Sequence, residues 1–462
     1  MKFKTTLILL AAFGALLALV LLFESKDRKT ASAKEKGDKL VDIAADDVRK
    51  IEIKREDGTI ALEKDAQAAW RLTAPLETGA DTAEVEGLLS VLSTLRFERV
   101  VEKDAVDLKA YGLPGREISL WLKGREAPLR ILVGMENPLD QSFFAKRDDD
   151  PRLVLLASSL KSTLEKKVID LRDKAIFKFE AAGVKVVRVR TKDVMWEAVR
   201  DGDGWRLESP VRALADRLKI ESLLDSLSAL KAKEFLSEAK SAADVKRLGL
   251  DKPAFEVALS MPASHKRLVF SLGKDGEKSC AMTSESDKIV AFDGTLPADL
   301  EKKPDELRDR KVAAFSSWEA DKVFLKKGPF ELAATREKAK DEDKWILDTT
   351  AKEAADGAKI EDFIRRIEGL EAAAFIDNPG SPAAYGLDRP AAEIRIWAKG
   401  ADGKPVETVI LVGNEDREKN QVVVKNAGLD YLFRVDASFL QDLPKEAKDW
   451  RAAPPAAPAA KK

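Results

Sequence analysis

One pattern occurs three times along the chain and constrains its fold more than any single residue. A tryptophan is followed eleven residues later by an aspartate, and an apolar stripe begins four residues after that. The copies begin at Trp70, Trp205 and Trp345, so the spacings are 205 − 70 = 135 and 345 − 205 = 140 residues. These spacings match the size of a domain and far exceed the roughly 20–50 residues of a solenoid unit. The pattern therefore predicts three homologous domains in tandem.

Each stripe has the spacing 0, 3, 4, 7 and 10, which places its residues on one face of an α-helix. The stripe residues are Val85, Leu88, Leu89, Leu92 and Leu95; Ile220, Leu223, Leu224, Leu227 and Leu230; and Ile360, Phe363, Ile364, Ile367 and Leu370. Because aspartate is a preferred N-cap, Asp81, Asp216 and Asp356 are predicted to cap these helices. Glu84 has the spacing of a capping box in the first copy. The three tryptophans are predicted to be buried beneath the helices, since large aromatic side chains dominate core burial.

Short apolar segments between the stripes predict strands, for example Ile51–Ile53, Ile118–Leu122 and Ile394–Trp397. A closing helix is expected over Ser159–Asp173. Many short strands with few intervening helices favour antiparallel sheets covered by helices, which is an α+β fold. We divide the chain into an anchor (1–23), a charged linker (24–39), repeat domains (40–174, 175–311 and 312–451) and a disordered Pro/Ala tail (452–462).

The segment Thr5–Phe23 is an uncharged, mostly apolar run of 19 residues. As a helix it would be about 28 Å long, close to the roughly 30 Å hydrocarbon core of a bilayer. No Ala-x-Ala site follows closely, so an uncleaved transmembrane helix is favoured over a removed signal peptide. The Lys/Arg count around the run places the following domains in the cytoplasm, whereas an anchor so near the N-terminus usually acts as an export signal. We expect the bulk of the chain outside the cytoplasm.

The composition removes several functional classes. Lys plus Arg (80) nearly balances Asp plus Glu (81), which gives no basic footprint for nucleic acid. The single cysteine, Cys280, rules out an intramolecular disulfide, and with the single histidine, His265, it leaves no Cys/His zinc site. His265 is expected in a hairpin loop. No phosphate-binding glycine motif is present. We identify no catalytic, cofactor-binding or metal-binding residue and predict a protein that is not an enzyme.

Three glycine triplets could be taken for binding loops, but we interpret them as helix ends that lead into a turn. Each glycine follows a residue suited to an N-cap, and the pairs are Asp107 with Gly112, Asp244 with Gly249, and Ser381 with Gly386. The acidic run Asp148–Asp150 is interpreted as a polar hairpin tip rather than a cation site.

Two other groups bear on how the domains are used. Charged segments close the first two repeats, at Leu171–Lys174 and Leu307–Lys311, and we interpret them as joints between neighbouring domains. Trp121 and Trp397 lie on alternating strands, and whether they are buried or exposed stays open at this point.

The ordered set of motifs resembles a bacterial family described as domain of unknown function 4340. The resemblance rests on the N-terminal anchor, the helix stripe, the Tyr-Gly-Leu turn, the Leu-Val-Gly strand end and W-R-L-x-x-P at Trp70–Pro75 and Trp205–Pro210. It covers about residues 40–450, and the third repeat departs from it with Thr350 in place of the proline. Members are often encoded beside gliding-type ABC-transporter components, which implies an accessory role at an envelope export system. The family supplies no catalytic residues.

We therefore expect a non-enzymatic protein anchored by one pass in the bacterial inner membrane, with its bulk in the periplasm. Its expected role is an accessory or scaffold binding subunit of a gliding-type ABC transport system, with a membrane or periplasmic protein as partner. The alternative is a module that binds envelope polysaccharide or peptidoglycan, favoured if Trp121 and Trp397 are exposed in a groove. An enzyme is the third alternative, and it would need a pocket with a cluster of polar groups specific to one repeat.

Overall fold

The computed structural model describes residues 39–262, 264–271, 279–293, 300–337, 343–349, 352–400 and 403–452. The predicted anchor Thr5–Phe23, Gly273, Thr350 and nearly all of the predicted tail lie outside these ranges. In the described part of the chain, no helix is long and apolar enough to span a membrane. The chain divides into two compact units, the first ending at Lys174 and the second beginning at Ala175.

The first unit contains one nine-stranded antiparallel sheet and the second unit contains two. We call each sheet with its helices a domain, numbered in chain order. The strands of domain 1 are β1 (Val48–Arg55), β2 (Gly58–Lys64), β3 (Trp70–Ala74), β4 (Thr78–Gly79), β5 (Arg99–Glu102), β6 (Arg116–Leu122), β7 (Leu129–Glu136), β8 (Phe143–Arg147) and β9 (Leu153–Leu156). Their order across the sheet is β4-β3-β2-β1-β6-β7-β8-β9-β5.

Domains 2 and 3 repeat this order strand for strand. The strands of domain 2 are β10 (Val186–Thr191), β11 (Met195–Asp201), β12 (Gly204–Ser209), β13 (Ala213–Ala215), β14 (Glu234–Ser237), β15 (Phe255–Met261), β16 (Ser264–Ser271), β17 (Ser279–Thr283) and β18 (Ile289–Phe292). The strands of domain 3 are β19 (Ala320–Lys327), β20 (Phe330–Glu337), β21 (Lys344–Leu347), β22 (Glu353–Ala354), β23 (Ala374–Ile376), β24 (Ala392–Lys399), β25 (Pro405–Asp416), β26 (Gln421–Asn426) and β27 (Leu432–Asp436).

One long helix covers each sheet, and shorter helices complete each domain. The long helices are Thr82–Ser93, Arg217–Ser228 and Gly357–Glu368. The short α-helices are Lys161–Leu164, Val168–Leu171 and Ala242–Arg247. The 3₁₀ turns are Ala45–Asp47, Leu108–Tyr111, Ser158–Leu160, Ala181–Gly183, Pro304–Glu306, Ser317–Glu319, Pro382–Tyr385, Ala437–Gln441 and Ala447–Asp449. The predicted α+β class, with antiparallel sheets covered by helices, is confirmed.

Alternation along the strands separates an apolar face from a charged one. In β1, Ile51 and Ile53 are buried toward the helix, whereas Lys54 on the opposite face lies 3.1 Å from Glu52. The equivalent face of domain 3 carries Arg395, which contacts Glu407 across the strands at 3.1 Å. Each such exposed ion pair contributes little to the free energy of unfolding. The mixture of positive and negative side chains makes this face of the sheet hydrophilic.

The three predicted N-caps are confirmed. Asp81, Asp216 and Asp356 each accept a hydrogen bond from the backbone N–H three residues later, at 3.2, 3.3 and 3.3 Å. The apolar stripes are buried, apart from the partly exposed last residues of the second and third, Leu230 and Leu370. The last leucine of each stripe, ten residues after the first stripe residue, lies beyond the end of the helix. Its backbone carbonyl accepts a hydrogen bond from a backbone N–H near the start of the same domain. These bonds join Leu40 to Leu95, Ile176 to Leu230 and Val312 to Leu370.

The repeated tryptophans Trp70, Trp205 and Trp345 are 4%, 2% and 3% exposed, so their predicted burial is confirmed. A cation lies over each indole. The pairs are Lys64 with Trp70 at 5.2 Å, Arg200 with Trp205 at 4.5 Å, and Arg336 with Trp345 at 5.0 Å. The repeat of this pair in all three domains indicates that these tryptophans are architectural.

The glycine triplets close short helices as predicted. Gly112, Gly249 and Gly386 have φ values of +68°, +70° and +71°, a left-handed conformation that favours glycine. A second glycine is required by close packing, because a Cβ on Gly134 would lie 2.2 Å from the carbonyl oxygen of Tyr111. Gly413 stands in the same relation to Tyr385.

Several local predictions were wrong for identifiable reasons. Asp244 lies inside its helix rather than at the N-cap, because its N–H donates to the hydroxyl of Ser241, which is the N-cap. Asp107 and Ser381 do occupy the predicted N-cap positions, although neither side chain makes a cap bond. The Glu84 carboxylate does not complete a capping box, because it bonds to Lys166 instead.

The predicted closing helix Ser159–Asp173 is also wrong as a single element. It is broken into Ser158–Leu160, Lys161–Leu164 and Val168–Leu171. The break leaves the last residues extended, and Asp173 donates its N–H to the carbonyl of Gly79 at 3.0 Å.

The capped helices lead to a stability prediction. Replacing Asp81, Asp216 or Asp356 with alanine should each lower the free energy of unfolding of its own domain by about 1 kcal/mol, because one helix N–H loses its acceptor. Urea unfolding followed by circular dichroism measures this. The matched Asp→Asn variants should stay close to wild type, since asparagine also caps. Equal losses from the alanine and asparagine variants would contradict the capping role.

Candidate functional site

The chain passes from domain 2 to domain 3 within a few residues around Arg308. The carbonyl of Leu307 accepts the N–H of Asp216 at 2.7 Å, so this segment is still attached to domain 2. Lys311 already pairs with Glu371, next to the strands of domain 3. Arg308 lies between these two attachments and is 0% exposed.

The Arg308 side chain reaches into domain 3. Its guanidinium carbon lies 3.7 Å from the ring centre of Phe375 and 4.6 Å from that of Tyr431. Its Nη1 donates to both carboxylate oxygens of Asp377, at 2.9 and 3.0 Å. The N–H of Leu214 in domain 2 donates to the Tyr431 hydroxyl at 3.4 Å, and burial raises the pKa of that hydroxyl. Two rings and one carboxylate of domain 3 therefore surround a cation supplied by domain 2.

This arrangement is how a buried charge is accommodated. Burying an unpaired guanidinium is costly, and arginine is preferred at such places because its planar face stacks on aromatic rings while its edge binds carboxylate. Nε and Nη2 of Arg308 are buried and have no hydrogen-bond partner among the described residues. The rings of Phe375 and Tyr431 supply the compensation for these atoms. The predicted joint at Leu307–Lys311 is therefore confirmed.

The same backbone position recurs in the other domains. Arg172 pairs with Ala80, Arg308 with Ala215 and Arg451 with Ala355. Arg451 differs in its surroundings, because its side chain is 50% exposed and lies 2.6 Å from Glu353. The strand register places Glu353 where domain 2 has Ala213, and Ala213 packs into the core of domain 3.

Domain 3 also contains a polar groove of 620 Å³ beside Trp318. Its floor is held by Arg336, whose Nη1 donates to the Trp318 carbonyl at 3.1 Å and whose Nη2 donates to Glu361 at 3.2 Å. Glu361 also accepts from the indole N–H of Trp345 at 3.3 Å. Trp318 is 81% exposed. No sequence pattern singles it out, since it lies outside the repeat in the turn Ser317–Glu319.

A second cavity, of 610 Å³, lies in domain 1. Arg55 and Arg116 line it, at a register position occupied by Thr191 and Phe255 in domain 2. Arg55 donates to the Lys166 carbonyl at 2.7 Å, and Arg116 lies 3.6 Å from Glu165. Burial lowers the pKa of Arg55. Four carboxylates share this cavity with two arginines and one lysine, so it has no excess of positive charge.

Trp121 and Trp397, whose exposure the sequence left open, lie on the open faces of their sheets, whereas Trp196 and Trp450 are buried in the cores. Trp121 and Trp397 are half-buried, with Lys50 over one ring at 4.8 Å and Lys322 over the other at 5.2 Å. Within the described residues, neither indole lines the two cavities above.

His265 and Cys280 are not brought together. His265 lies on strand β16, not in the predicted loop, and its Nδ1 is 3.0 Å from the Ser260 hydroxyl. Cys280 is buried and its Sγ donates to the carbonyl of Leu248 at 3.4 Å. The two residues lie near opposite ends of strand β16. His265 is near its start and pairs with Ser260 of β15, whereas Cys280 of β17 pairs with Ser271 at its end.

The acidic run is the predicted hairpin tip between β8 and β9. Asp150 accepts from Nε and Nη2 of Arg152, and this bidentate bond lowers the pKa of Asp150 to about 2. Asp149 accepts from Arg147 at 2.5 Å. Among the residues that the structure describes, no group of three or more His, Cys, Asp or Glu side chains is arranged to hold a metal ion.

The Arg308 joint leads to a comparison of two arginines at equivalent positions. Replacing Arg308 with alanine should lower the free energy of unfolding of domain 3 by about 2 kcal/mol, the value of a desolvated cation–π contact. Replacing Arg451 with alanine should lower it by less than about 1 kcal/mol, because that ion pair is half-exposed. Urea unfolding followed by tryptophan fluorescence measures both. Equal losses from the two variants would show that Arg308 is not a joint.

Comparison with known proteins agrees with the repeat. The model of the family described as domain of unknown function (DUF4340) matches residues 70–206 and 205–390. The first match runs from one repeated tryptophan to the next, so it spans one full period. The two matches together cover more than half of the 462 residues. No curated protein matches the chain. The chain therefore belongs to the DUF4340 family.

Proposed function

We propose that this chain is a non-enzymatic scaffold of the bacterial envelope that holds binding surfaces in a fixed arrangement for a protein partner. It is anchored in the inner membrane by Thr5–Phe23, with its domains in the periplasm. Its role is that of an accessory subunit of a gliding-type ABC transport system. A module that binds envelope polysaccharide or peptidoglycan is the alternative.

The observation that carries the proposal is the buried joint at Arg308. A flexible chain of independent domains needs only an exposed linker between them. Here a fully buried arginine, two aromatic rings and Asp377 occupy the passage from domain 2 to domain 3. A rigid joint supports a partner that contacts both domains at once, because the two surfaces are already positioned and little entropy is lost on binding.

An enzyme would require a cluster of polar groups specific to one repeat, and the arginine pair in the cavity of domain 1 is one such cluster. Its two arginines are held by the closing segment of their own domain, at Lys166 and Glu165. This use of both side chains favours a structural role for the cluster.

Partner capture tests the scaffold. The full anchored chain is crosslinked in native membranes, and partners are recovered from wild type, Arg308→Ala, Arg451→Ala and His265→Ala. Arg308→Ala should lose capture severalfold at equal protein level, because the fixed arrangement is lost, while the other two variants capture as wild type does. Arg308→Lys keeps the positive charge but lacks the planar guanidinium that contacts the aromatic rings. It therefore distinguishes the effect of losing the charge from the effect of losing the contact with the rings. Undiminished capture by Arg308→Ala would contradict the scaffold, and a loss confined to His265→Ala would point to an enzyme.

Thiol labelling tests the location. A Ser32→Cys change in the linker, combined with Cys280→Ser, leaves one thiol next to the proposed anchor. A reagent that does not cross the inner membrane should label this thiol in intact cells, because the linker would lie in the periplasm. The single variant Cys280→Ser is the control and should remain unlabelled. Labelling that occurs only after lysis would place the domains in the cytoplasm.

A further inference from the structure

The most exposed aromatic side chain of domain 3 stands in a groove rather than on a flat surface. Trp318 is 81% exposed and belongs to the turn Ser317–Glu319 before the first strand. The equivalent turns are Ala45–Asp47 in domain 1 and Ala181–Gly183 in domain 2, which place Asp46 and Ala182 at this position. The indole is therefore not part of the repeated architecture.

The floor of the groove is preorganised. Arg336 is held by the face of Trp345, by the carbonyl of Trp318 and by the carboxylate of Glu361. Glu361 in turn accepts the indole N–H of Trp345. Polar groups fixed in this way can bind a ligand without losing side-chain entropy.

The walls of the groove carry both signs of charge. Three cations, Arg336, Arg365 and Lys399, face four carboxylates, which are Glu319, Asp321, Asp343 and Glu361. A simple anion would meet the carboxylates, and a simple cation would meet the arginines. A ligand with many hydroxyl groups fits both, because each hydroxyl donates one hydrogen bond and accepts others.

A second cavity adjoins the groove. A neighbouring cavity of 560 Å³ shares Glu319 and Lys399 with it and is lined in addition by Phe315 and Val406. The Lys399 ammonium lies 4.0 Å from the Glu319 carboxylate, and both residues line both cavities. The second cavity therefore adds apolar side chains next to the charged residues that the two cavities share.

We infer that the groove beside Trp318 is a carbohydrate-binding site of domain 3. The apolar face of one sugar ring stacks on the indole, and its hydroxyls bond to Arg336, Glu361 and the surrounding charged groups. A neighbouring ring extends toward Phe315 and Val406. This site does not depend on the scaffold role, and it gives the alternative function, binding of envelope polysaccharide, a specific location in domain 3.

A protein partner is the competing occupant, since tryptophan and arginine are also common anchors of protein interfaces. Such an anchor is normally surrounded by further apolar contact area, from which charged residues are depleted. In the described part of domain 3, the large apolar side chains that are exposed are Trp318 and Val406. The charged surroundings of the indole therefore favour a sugar.

Glycan binding by the purified full-length chain tests the site. The probes are an array of bacterial surface glycans and, in solution, the tetramer of N-acetylglucosamine, followed by calorimetry. Wild type should bind at least one arrayed glycan saturably, and Trp318→Ala should weaken that binding about tenfold or more. Trp318→Phe keeps an aromatic platform and should retain most of it. Leu218→Ala, at a side chain of domain 2 that is 76% exposed, is the matched control and should bind as wild type does.

Three outcomes would overturn the inference. Wild type could bind no glycan of the array or in solution. Trp318→Ala could bind as tightly as wild type, which would place any sugar site elsewhere. Trp318→Ala could also lose a crosslinked protein partner while no glycan binds, which would make the groove a protein interface. Because the variant lies away from Arg308, failure here leaves the result of the Arg308→Ala capture experiment unchanged.

Discussion

A positively charged side chain of domain 2 is buried among side chains of domain 3, out of contact with water. Arg308 is fully buried, and a guanidinium in that position is tolerated only with specific partners. The rings of Phe375 and Tyr431 lie against the guanidinium, and Asp377 accepts hydrogen bonds from its Nη1. The contact lies where the chain passes between the two domains, since Leu307 is bonded to domain 2 and Lys311 pairs with Glu371 of domain 3. A joint with this many specific contacts supports the proposed role as a scaffold.

The same backbone position serves two purposes in one chain. In domain 2 the closing arginine crosses into the next domain, and Ala213 beside it packs into the neighbouring core. In domain 3 the closing arginine, Arg451, bonds to Glu353 of its own domain. An alanine at the position of Glu353 would leave Arg451 without that partner. The repeat therefore keeps its fold while one substitution changes what the end of the domain presents.

Positions governed by local spacing could be predicted from the sequence. The aspartate caps, the buried tryptophans and the stripe helices depend on residues a few positions apart, and all three copies agree. Short edge strands such as Thr78–Gly79 and Arg99–Glu102 were missed, because they are defined by partners distant in sequence rather than by their own composition. Glu84 failed as a capping residue for the same reason, since Lys166 is 82 residues away.

The candidate sites could not be predicted from the sequence, because their residues are also brought together from distant parts of the chain. Trp318 lies outside the repeat, and its surroundings come from three separate strands and a helix. Arg308 was recognisable as part of a repeated charged segment, but nothing local identifies Phe375 and Tyr431 as its partners. Charged and aromatic residues are common in this chain, so only the folded arrangement distinguishes those that meet.

The central claim is that Arg308 and the aromatic rings of domain 3 form one energetic unit. A double-mutant cycle with Arg308→Ala and Phe375→Leu, measured by urea unfolding of the full chain, isolates that coupling from the effect of each change alone. We predict a coupling energy of about 1 kcal/mol or more, because the cation–π attraction is lost when either side chain is removed. A coupling energy within about 0.3 kcal/mol of zero would mean that the two side chains are merely neighbours, and the rigid joint would have to be abandoned.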